Sequence, residues 1–459
     1  MDIKEKEKLI DEVLSRGVGE FIDPDGSFRK KLIESSEKIV VKWGVDPTRP
    51  DIHLGHAVIL RKLRQLQNLG CKVVFLIGDV TTQIGDPTGK SKIRPEIEQI
   101  EIQKNMKTYL DQVDKILLKD PNVFTWTMNS DWLISINDII APDNQSISIN
   151  IGDKSVNLPP LPSNNILAKA AHWQATRMQK SNINSYTLIN MLSVLRKITH
   201  SRLIERDMFQ DRIKKGEPIF MHEMMYPVIQ GIDSNAIANI FGSCDLEVGG
   251  TDQHFNMLVG RDVMIMNDKK PQAVISFKIL EGLDGKEKMS KSLDNYIGIT
   301  DESDDMYGKV MSIPDSSIVN YFELCTYVPI EEIEEIKKEI ENGKVNPRDL
   351  KMKLAFQITA EYHSEQKAKE AEENFINTFQ KKEIPENMPE IVAQKGDSLA
   401  DIIVLNKILP SKSEWRRLVE ANAVHDLEKN ENINDFALEI SESLIVRIGK
   451  KTFLKIIVK

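Results

Sequence analysis

The chain has 459 residues, of which 41% are apolar and 29% charged, and it carries a formal net charge of −9. That length allows about three domains with a sizeable core, while the acidic balance excludes a broadly basic coat for nucleic acid, so RNA would have to be met by local basic patches. No apolar run approaches membrane-spanning length, the start Met1-Asp2-Ile3-Lys4-Glu5-Lys6 has no apolar signal core, and the scattered Cys71, Cys244 and Cys325 suit a reducing cytosol and lack zinc-type spacing. A cytoplasmic protein with no protein-bound structural metal is expected.

Residues 1 to about 35 read as a charged helical lead-in. From there to about residue 300, apolar strands alternate with amphipathic helices, the βαβ pattern of an α/β, doubly wound parallel sheet of Rossmann-like type. Lys42-Trp43-Gly44 ends one strand, and Asp46-Pro47-Thr48 and Asp51-Ile52-His53-Leu54-Gly55-His56 lead into a helix through Ala57 to Leu69. Gly55 allows close backbone approach and the helix start supplies a positive dipole end, so His53 and His56 would donate hydrogen bonds to phosphate or ribose. Helix-capping histidines, or a metal pair lacking a third ligand, would leave the same string. Val73 to Ile77 reads as a buried strand ending in a loop that places Asp86 near the strand's carboxyl edge. The string Gly85-Asp86-Pro87-Thr88-Gly89-Lys90-Ser91 fails as a P-loop, because its glycines enclose three residues where four are needed. Lys90, Lys92 and Arg94 follow on a basic loop.

The segment from Asn137 to about Ser181 interrupts the alternation, and the spacing of Ile147, Ile149, Ile151, Val156 and Leu158 around Gly152-Asp153 predicts a β-hairpin. Ser185 to Lys214 is helical in character, with Leu188, Met191, Leu192, Leu195 and Ile198 in one stripe. Spacings of four and three put Tyr226, Gln230 and Asp233 on one side of the next helix, although a polar fringe on a buried face would look alike. Gly249-Gly250-Thr251-Asp252-Gln253 follows. After a strand from Val274 to Leu280 comes a polar loop holding Lys288-Met289-Ser290-Lys291-Ser292. Attack of a carboxylate on the α-phosphate of ATP builds negative charge that cations and fixed N–H donors must meet, and this loop can close over pyrophosphate. Alone, it would be a solvated lysine loop.

Beyond Tyr296 the pattern turns helical: Glu331 to Glu341 with Ile333, Ile336 and Ile340 inward and Gly343 as stop, then a helix from Pro347 to about Thr378. Lys381 to Gln394 reads as a linker. Residues 397 to 459 hold ten basic and ten acidic residues, so grouping matters more than net charge. Lys412, Arg416 and Arg417 fall at helical spacing within Ser411 to Glu420, and Arg447, Lys450, Lys451 and Lys455 lie near closing strands from Leu444 to Val458.

The His53/His56 and Lys288/Lys291 strings resemble the two signatures of class I aminoacyl-tRNA synthetases. Tyr226, Gln230, Asp233 and the Gly249 to Gln253 string resemble the amino-acid pocket of tyrosyl-tRNA synthetases of the bacterial type with a C-terminal S4 domain. The resemblance implies a tyrosine-tRNA ligase that forms tyrosyl-adenylate from tyrosine and ATP with Mg²⁺, then passes the tyrosyl group to the terminal adenosine of tRNA(Tyr), with no covalent enzyme intermediate. It implies catalytic roles for His53, His56, Lys288, Lys291, Lys90 and Arg94. Asp233 would accept the phenolic hydroxyl, Asp86, Tyr226 and Gln230 would surround the α-ammonium, and Gln253 would orient the substrate. Asp46, Thr48, Gly55, Gly250, Asp252 and Met289 would line the ATP site, and Lys412, Arg416, Arg417, Lys450 and Lys451 would meet RNA. Asn129-Ser130-Asp131-Trp132 resembles the family's pocket-supporting string.

The implied organisation is a catalytic domain over 1–300, with a connective, dimer-forming region at about 133–225 that carries an insertion at about 137–181. A helical anticodon-stem domain over 301–380, a linker over 381–396 and an S4-like domain over 397–459 would follow, in a homodimer. Lys42 departs from the tyrosine of one bacterial branch and leaves a second hydrogen bond to the phenol unassigned. Trp43 is larger than usual, and Ala421-Asn422-Ala423-Val424 stands where glycines are common. Tryptophanyl-tRNA synthetases share both signatures, but Gln230 and the Gly249 to Gln253 string favour tyrosine. A former synthetase kept as an RNA-binding protein is the alternative of another class.

Overall fold

The computed structural model describes residues 3–86, 97, 99–133, 147–151, 154–158, 188–379, 388–429, 431–449 and 452–458. The chain divides into two compact units, residues 1–365 and 366–459.

The first unit is built on strands β1 (Val18–Ile22), β2 (Val40–Val45), β3 (Lys72–Ile77) and β4 (Phe124–Met128), with a hairpin of β5 (Ile147–Ile151) and β6 (Lys154–Leu158), then β7 (Leu246–Gly250) and β8 (Ala273–Phe277). The six strands other than the hairpin form one sheet in the order β1-β8-β7-β2-β3-β4. All neighbours are parallel except β1, which runs antiparallel to β8. β2 and β3 are continuous buried runs, as strands covered by helices on both faces must be. The chain winds away from β2 in one direction through β3 and β4 and returns on its other side with β7. That reversal between β2 and β7 opens a crevice at their carboxyl ends, where ligands bind in such sheets.

Two expectations about local structure change here. The lead-in is not wholly helical: helices Ile3–Ser15 and Ser27–Ser35 flank β1, a five-residue strand entered through Gly17 at φ +65°. The chain from β3 does not loop directly to Asp86 but first forms a short helix, Asp79–Ile84, ended by Gly85 at φ +77°. The hairpin forms as its alternation predicts, with Ile151 opposite Lys154.

The long helix Met221–Phe241 packs on helix His254–Met266 at a glycine contact: a Cβ on Gly231 would lie 2.8 Å from Val263 and 3.3 Å from the Gly260 Cα. Helices Ile330–Glu341 and Pro347–Tyr362 close the unit, with Ile333 and Ile336 buried and Asn346 capping the second by accepting from the Arg348 N–H. The helix expected from Pro347 to about Thr378 is two, because it breaks at His363 and resumes as Glu365–Phe379.

In the second unit β9 (Glu390–Ala393), β10 (Val424–Asp426), β11 (Glu431–Asn432), β12 (Leu444–Ile448) and β13 (Thr452–Val458) form a sheet in the order β11-β10-β12-β13-β9. Its buried face covers Leu399, Ile403, Trp415 and Val419 from helices Leu399–Leu405 and Lys412–Glu420. β9 falls inside the stretch read as linker and pairs parallel with β13, Ile391 opposite Ile456. Among the described residues no helix is long and apolar enough to cross a membrane.

Candidate active site

The first signature string pairs through its backbone with residues 297–299, just beyond the loop that carries the second. The Leu54 N–H donates to the Ile297 carbonyl at 2.9 Å and the Ile299 N–H to the Ile52 carbonyl at 3.0 Å, with His53 bridged to Gly298. Residues 281 to 295 form a self-braced loop. The Met289 N–H donates to the Leu280 carbonyl at 2.8 Å, the Ser290 N–H to Asn295 Oδ1 at 2.8 Å and Asn295 Nδ2 to the Lys288 carbonyl at 3.3 Å. Met289 is buried and anchors the loop, leaving the lysines on either side turned to polar partners. Lys288 Nζ donates to Asp252 Oδ2 at 2.6 Å, and Lys291 Nζ to the Tyr109 hydroxyl at 3.0 Å and the Arg49 carbonyl at 3.3 Å. Burial lowers the Lys291 ammonium to about 8 against the pull of Asp51.

His53 occupies the N-cap of helix Leu54–Asn68, its ring 3.9 Å from that of His56. Gly55 leaves room for the His53 ring, which a Cβ would crowd at 3.0 Å. Burial, with Lys291 and Lys288 nearby, pushes His53 down to about 3, and burial with His53 and the same lysines pushes His56 well down. Both rings are therefore neutral near neutral pH. The His53 N–H donates to His56 Nδ1 at 3.4 Å, which leaves the His56 Nε2 as the proton-bearing atom, a donor for a phosphate oxygen that does not switch off with pH. Thr48 is held by its N–H to the Asp46 carbonyl at 2.8 Å.

Asp46 joins residues expected at ATP to residues expected at the amino acid. Its Oδ2 accepts from the Tyr226 hydroxyl at 2.9 Å and its Oδ1 from the Thr81 hydroxyl at 2.8 Å. A Cβ on Gly78 would lie 2.3 Å from that Oδ1, so this glycine is part of the site although sequence reasoning passed over it. Asp86 accepts from Gln253 Nε2 at 2.5 Å and from Arg206 at 3.2 Å. Asn256 Nδ2 donates to Gln253 Oε1 at 3.0 Å and Gln230 Oε1 at 3.1 Å. Gly250 allows the Asp252 carboxylate to fold back, since its Cβ would stand 2.6 Å from Asp252 Oδ1.

Asp233 sits deeper and shares no hydrogen bond with Tyr226 or Gln230 among those described. It is 2% exposed, accepts from the Trp132 indole N–H at 2.8 Å, and burial raises it to about 7 although Lys42, Trp132 and Asn129 favour its charged form. Lys42 does not reach for a ligand. Its Nζ, 1% exposed with its residue, donates to the Gln230 carbonyl at 2.7 Å, Ser234 Oγ at 2.7 Å and Glu247 Oε1 at 2.9 Å. Trp43, the next residue on β2, points to the sheet's other face and packs on Phe75 with ring centroids 5.3 Å apart.

Arg206, Tyr109, Glu247 and Asn256 were not singled out in sequence, where no motif marks them. Lys90 and Arg94 lie outside the described residues, as do Lys450 and Lys451 and most of the insertion. In the second unit every cation expected on the RNA-facing helix has a carboxylate partner: Lys412 with Asp401, Arg416 with Glu420 at 2.9 Å, and Arg417 with Glu414.

The family described as tRNA synthetases class I (W and Y) matches residues 34–141 and 163–380. The chain is 40% identical over 457 residues to a tyrosine–tRNA ligase of Carboxydothermus hydrogenoformans, covering 97% of both, and 39% identical over 445 residues to one of Thermotoga maritima, covering 97% of this chain and 96% of the other. Among solved structures, a C-terminally truncated mitochondrial tyrosyl-tRNA synthetase of Aspergillus nidulans superposes with TM-score 0.56 at 19% identity, over 82% of this chain and 99% of that one. A tryptophanyl-tRNA synthetase of Plasmodium falciparum superposes with TM-score 0.52 at 14% identity, over 81% and 89%. Those two likenesses show the fold and do not separate the two amino acids.

Proposed function

The chain belongs to the class I tRNA synthetases for tryptophan and tyrosine, and we propose that within that family it is a tyrosine–tRNA ligase acting in translation. The tyrosine carboxylate attacks the α-phosphate of Mg-ATP, a carboxyl-oxygen bond to phosphorus forms, and the bond to the β-phosphate breaks to release pyrophosphate. The terminal adenosine hydroxyl of tRNA(Tyr) then attacks the acyl carbon and AMP leaves.

In this reading Lys288 and Lys291 exchange Asp252 and Tyr109 for the β- and γ-phosphates as charge develops, joined by Lys90 and Arg94. His53 and His56 donate from the helix start, and Asp252, Gly250, Asp46, Thr48, Gly55 and Met289 form the nucleotide's walls. Asp86, Tyr226 and Gln230 receive the α-ammonium, with Gln253 fixed on Asp86.

The observation that carries the choice of tyrosine is the buried Asp233 carboxylate, with one oxygen committed to the Trp132 N–H. Desolvated and held in place by Trp132 and the Asn129 side chain, with Lys42 favouring its charged form, the carboxylate keeps acceptor capacity that suits a phenol O–H and has no match in phenylalanine. The finer assignments belong to the same reading: a cytoplasmic homodimer, a helical segment 301–380 that cradles the anticodon stem and an S4-like segment 397–459 that binds tRNA. ATP–pyrophosphate exchange measured with all twenty amino acids tests it. Exchange with tyrosine alone is expected, exchange with tryptophan would move Gln230 and Asp233 to the sister enzyme, and none would turn the chain into an RNA-binding protein.

A further inference from the structure

A buried hydrogen-bond network lies behind the pocket, outside every residue assigned above to substrate except Gln230 itself. Glu247 is 1% exposed, and its Oε1 accepts from Lys42 Nζ at 2.9 Å and Gln230 Nε2 at 3.0 Å. Its Oε2 accepts from Ser234 Oγ at 2.9 Å and Gln272 Nε2 at 2.8 Å. The space is reserved for it, because a Cβ on Gly260 would stand 3.0 Å from Glu247 Oε2 and 2.8 Å from Gln272 Nε2. Lys42 spends its three protons on Glu247, Ser234 and the Gln230 carbonyl, so the charge pair is fully compensated.

The consequence lies in the direction of an amide. A glutamine amide can present either its oxygen or its NH₂ to a ligand, and the two faces have opposite preferences. An ionised carboxylate only accepts, so Glu247 fixes the Gln230 NH₂ towards itself and turns Gln230 Oε1 the other way, where Asn256 donates to it at 3.1 Å. Asp86 does the same for Gln253, whose Oε1 also faces Asn256. Two carboxylates at opposite ends thus orient two amides so that oxygens converge.

We propose that Glu247, held in place by Lys42, is a positioning residue for the amino-acid substrate: it locks Gln230 with its oxygen available to the substrate's α-ammonium. This rests on the reading of Gln230 and Asp86 as the ammonium site. Lys42 makes no contact with the phenol; its charge favours the ionised form of Asp233 while that of Glu247 opposes it, so replacing the pair together leaves the phenol end little changed.

Binding of two ligands to the full chain separates this role from general loosening of the fold: L-tyrosine, and 3-(4-hydroxyphenyl)propionate, which keeps the phenol and carboxylate and lacks the ammonium. In the double variant Lys42→Met/Glu247→Leu, an apolar replacement of the kind buried ion pairs often tolerate, tyrosine should bind about tenfold more weakly. The des-amino analogue should change by less than about twofold. Lys42→Met/Glu247→Gln, whose amide no longer dictates direction, should show the same selective loss to a smaller extent and serves if the first variant does not fold. Equal weakening of both ligands, or none of either, overturns the proposal. A native protein that binds tyrosine no better than the analogue overturns the ammonium site and the proposal with it.

Discussion

The two sides of one crevice are built differently. On the side proposed for the amino acid, Asp233, Glu247, Lys42 and Asn256 are almost wholly buried and their hydrogen bonds come from sheet and helices. On the side proposed for phosphate, Lys288 and Lys291 sit on a loop and rest on partners, Asp252 and Tyr109, that a phosphate chain can replace. Selectivity requires groups that are already in place and desolvated, since a mobile carboxylate could find water when the wrong substrate enters. Charge stabilisation of a departing pyrophosphate requires cations that arrive and release. Rigidity therefore matters where a substrate is selected and less where charge is met, and four experiments test that contrast.

The largest effect is expected from Lys291→Ala. Loss of one cation aimed at developing charge costs about 10²–10³ in the rate of adenylate formation, read by single-turnover kinetics, with tyrosine affinity unchanged. A matching loss of tyrosine affinity would show that the two sides are not separate.

Asp233→Ala should do the reverse. ATP affinity should hold, while discrimination of tyrosine over phenylalanine in pyrophosphate exchange falls by about 2 kcal/mol, the worth of a hydrogen bond to a charged acceptor, or roughly thirtyfold. Unchanged discrimination would move the phenol away from this helix.

The groups proposed to meet phosphate stand out in the sequence because they are local: His53, Gly55 and His56 share one turn, and Lys288 and Lys291 one loop. The sheet was legible as well, since its apolar runs at Val73 to Ile77 and Val274 to Phe277 stand between helices. β1 and β9 were not, since five and four residues with exposed or half-exposed faces carry little periodic signal and their pairing partners, β8 and β13, are far away in the chain. The network behind the pocket was hidden for the same reason. Glu247 reads as a charged residue in a strand, and only the adjacency of β2 and β7, Lys42 opposite Glu247, makes it half of a pair. Trp132 gains its meaning from Asp233, 101 residues away.

The pH profile compares the two sides within one assay. Burial raises Asp233 to about 7, so its accepting, ionised form is gained as pH rises through that value, and kcat/KM for tyrosine should rise with it. Burial lowers Lys291 to about 8, so its charged form is lost as pH rises further, and kcat/KM should fall again. His53 is pushed down to about 3 and adds no limb in this range, and His56 is pushed down with it. The expected curve is a narrow bell with limbs approaching about tenfold per unit. Lys291→Arg should remove the alkaline limb and leave the acid one, whereas a bell insensitive to that change would assign the upper limb elsewhere.

The smallest effects belong to the second unit, where pairing poses the same question as it does for Lys288. Lys288 and Arg417 both rest on carboxylates, but Lys288 stands on a loop and Arg417 on a helix, three residues from Glu414. A helical partner moves with its cation, so RNA phosphate must compete with a carboxylate that cannot leave. Arg416→Ala and Arg417→Ala should therefore each weaken tRNA binding by only about threefold, in keeping with exposed pairs, and lower the slope of log affinity against log salt by less than about 1. A full unit of slope lost with Arg417 would mean that the pair opens on RNA as the Lys288 pair is expected to open on ATP, and the contrast between fixed and exchangeable partners would then apply within the catalytic unit alone.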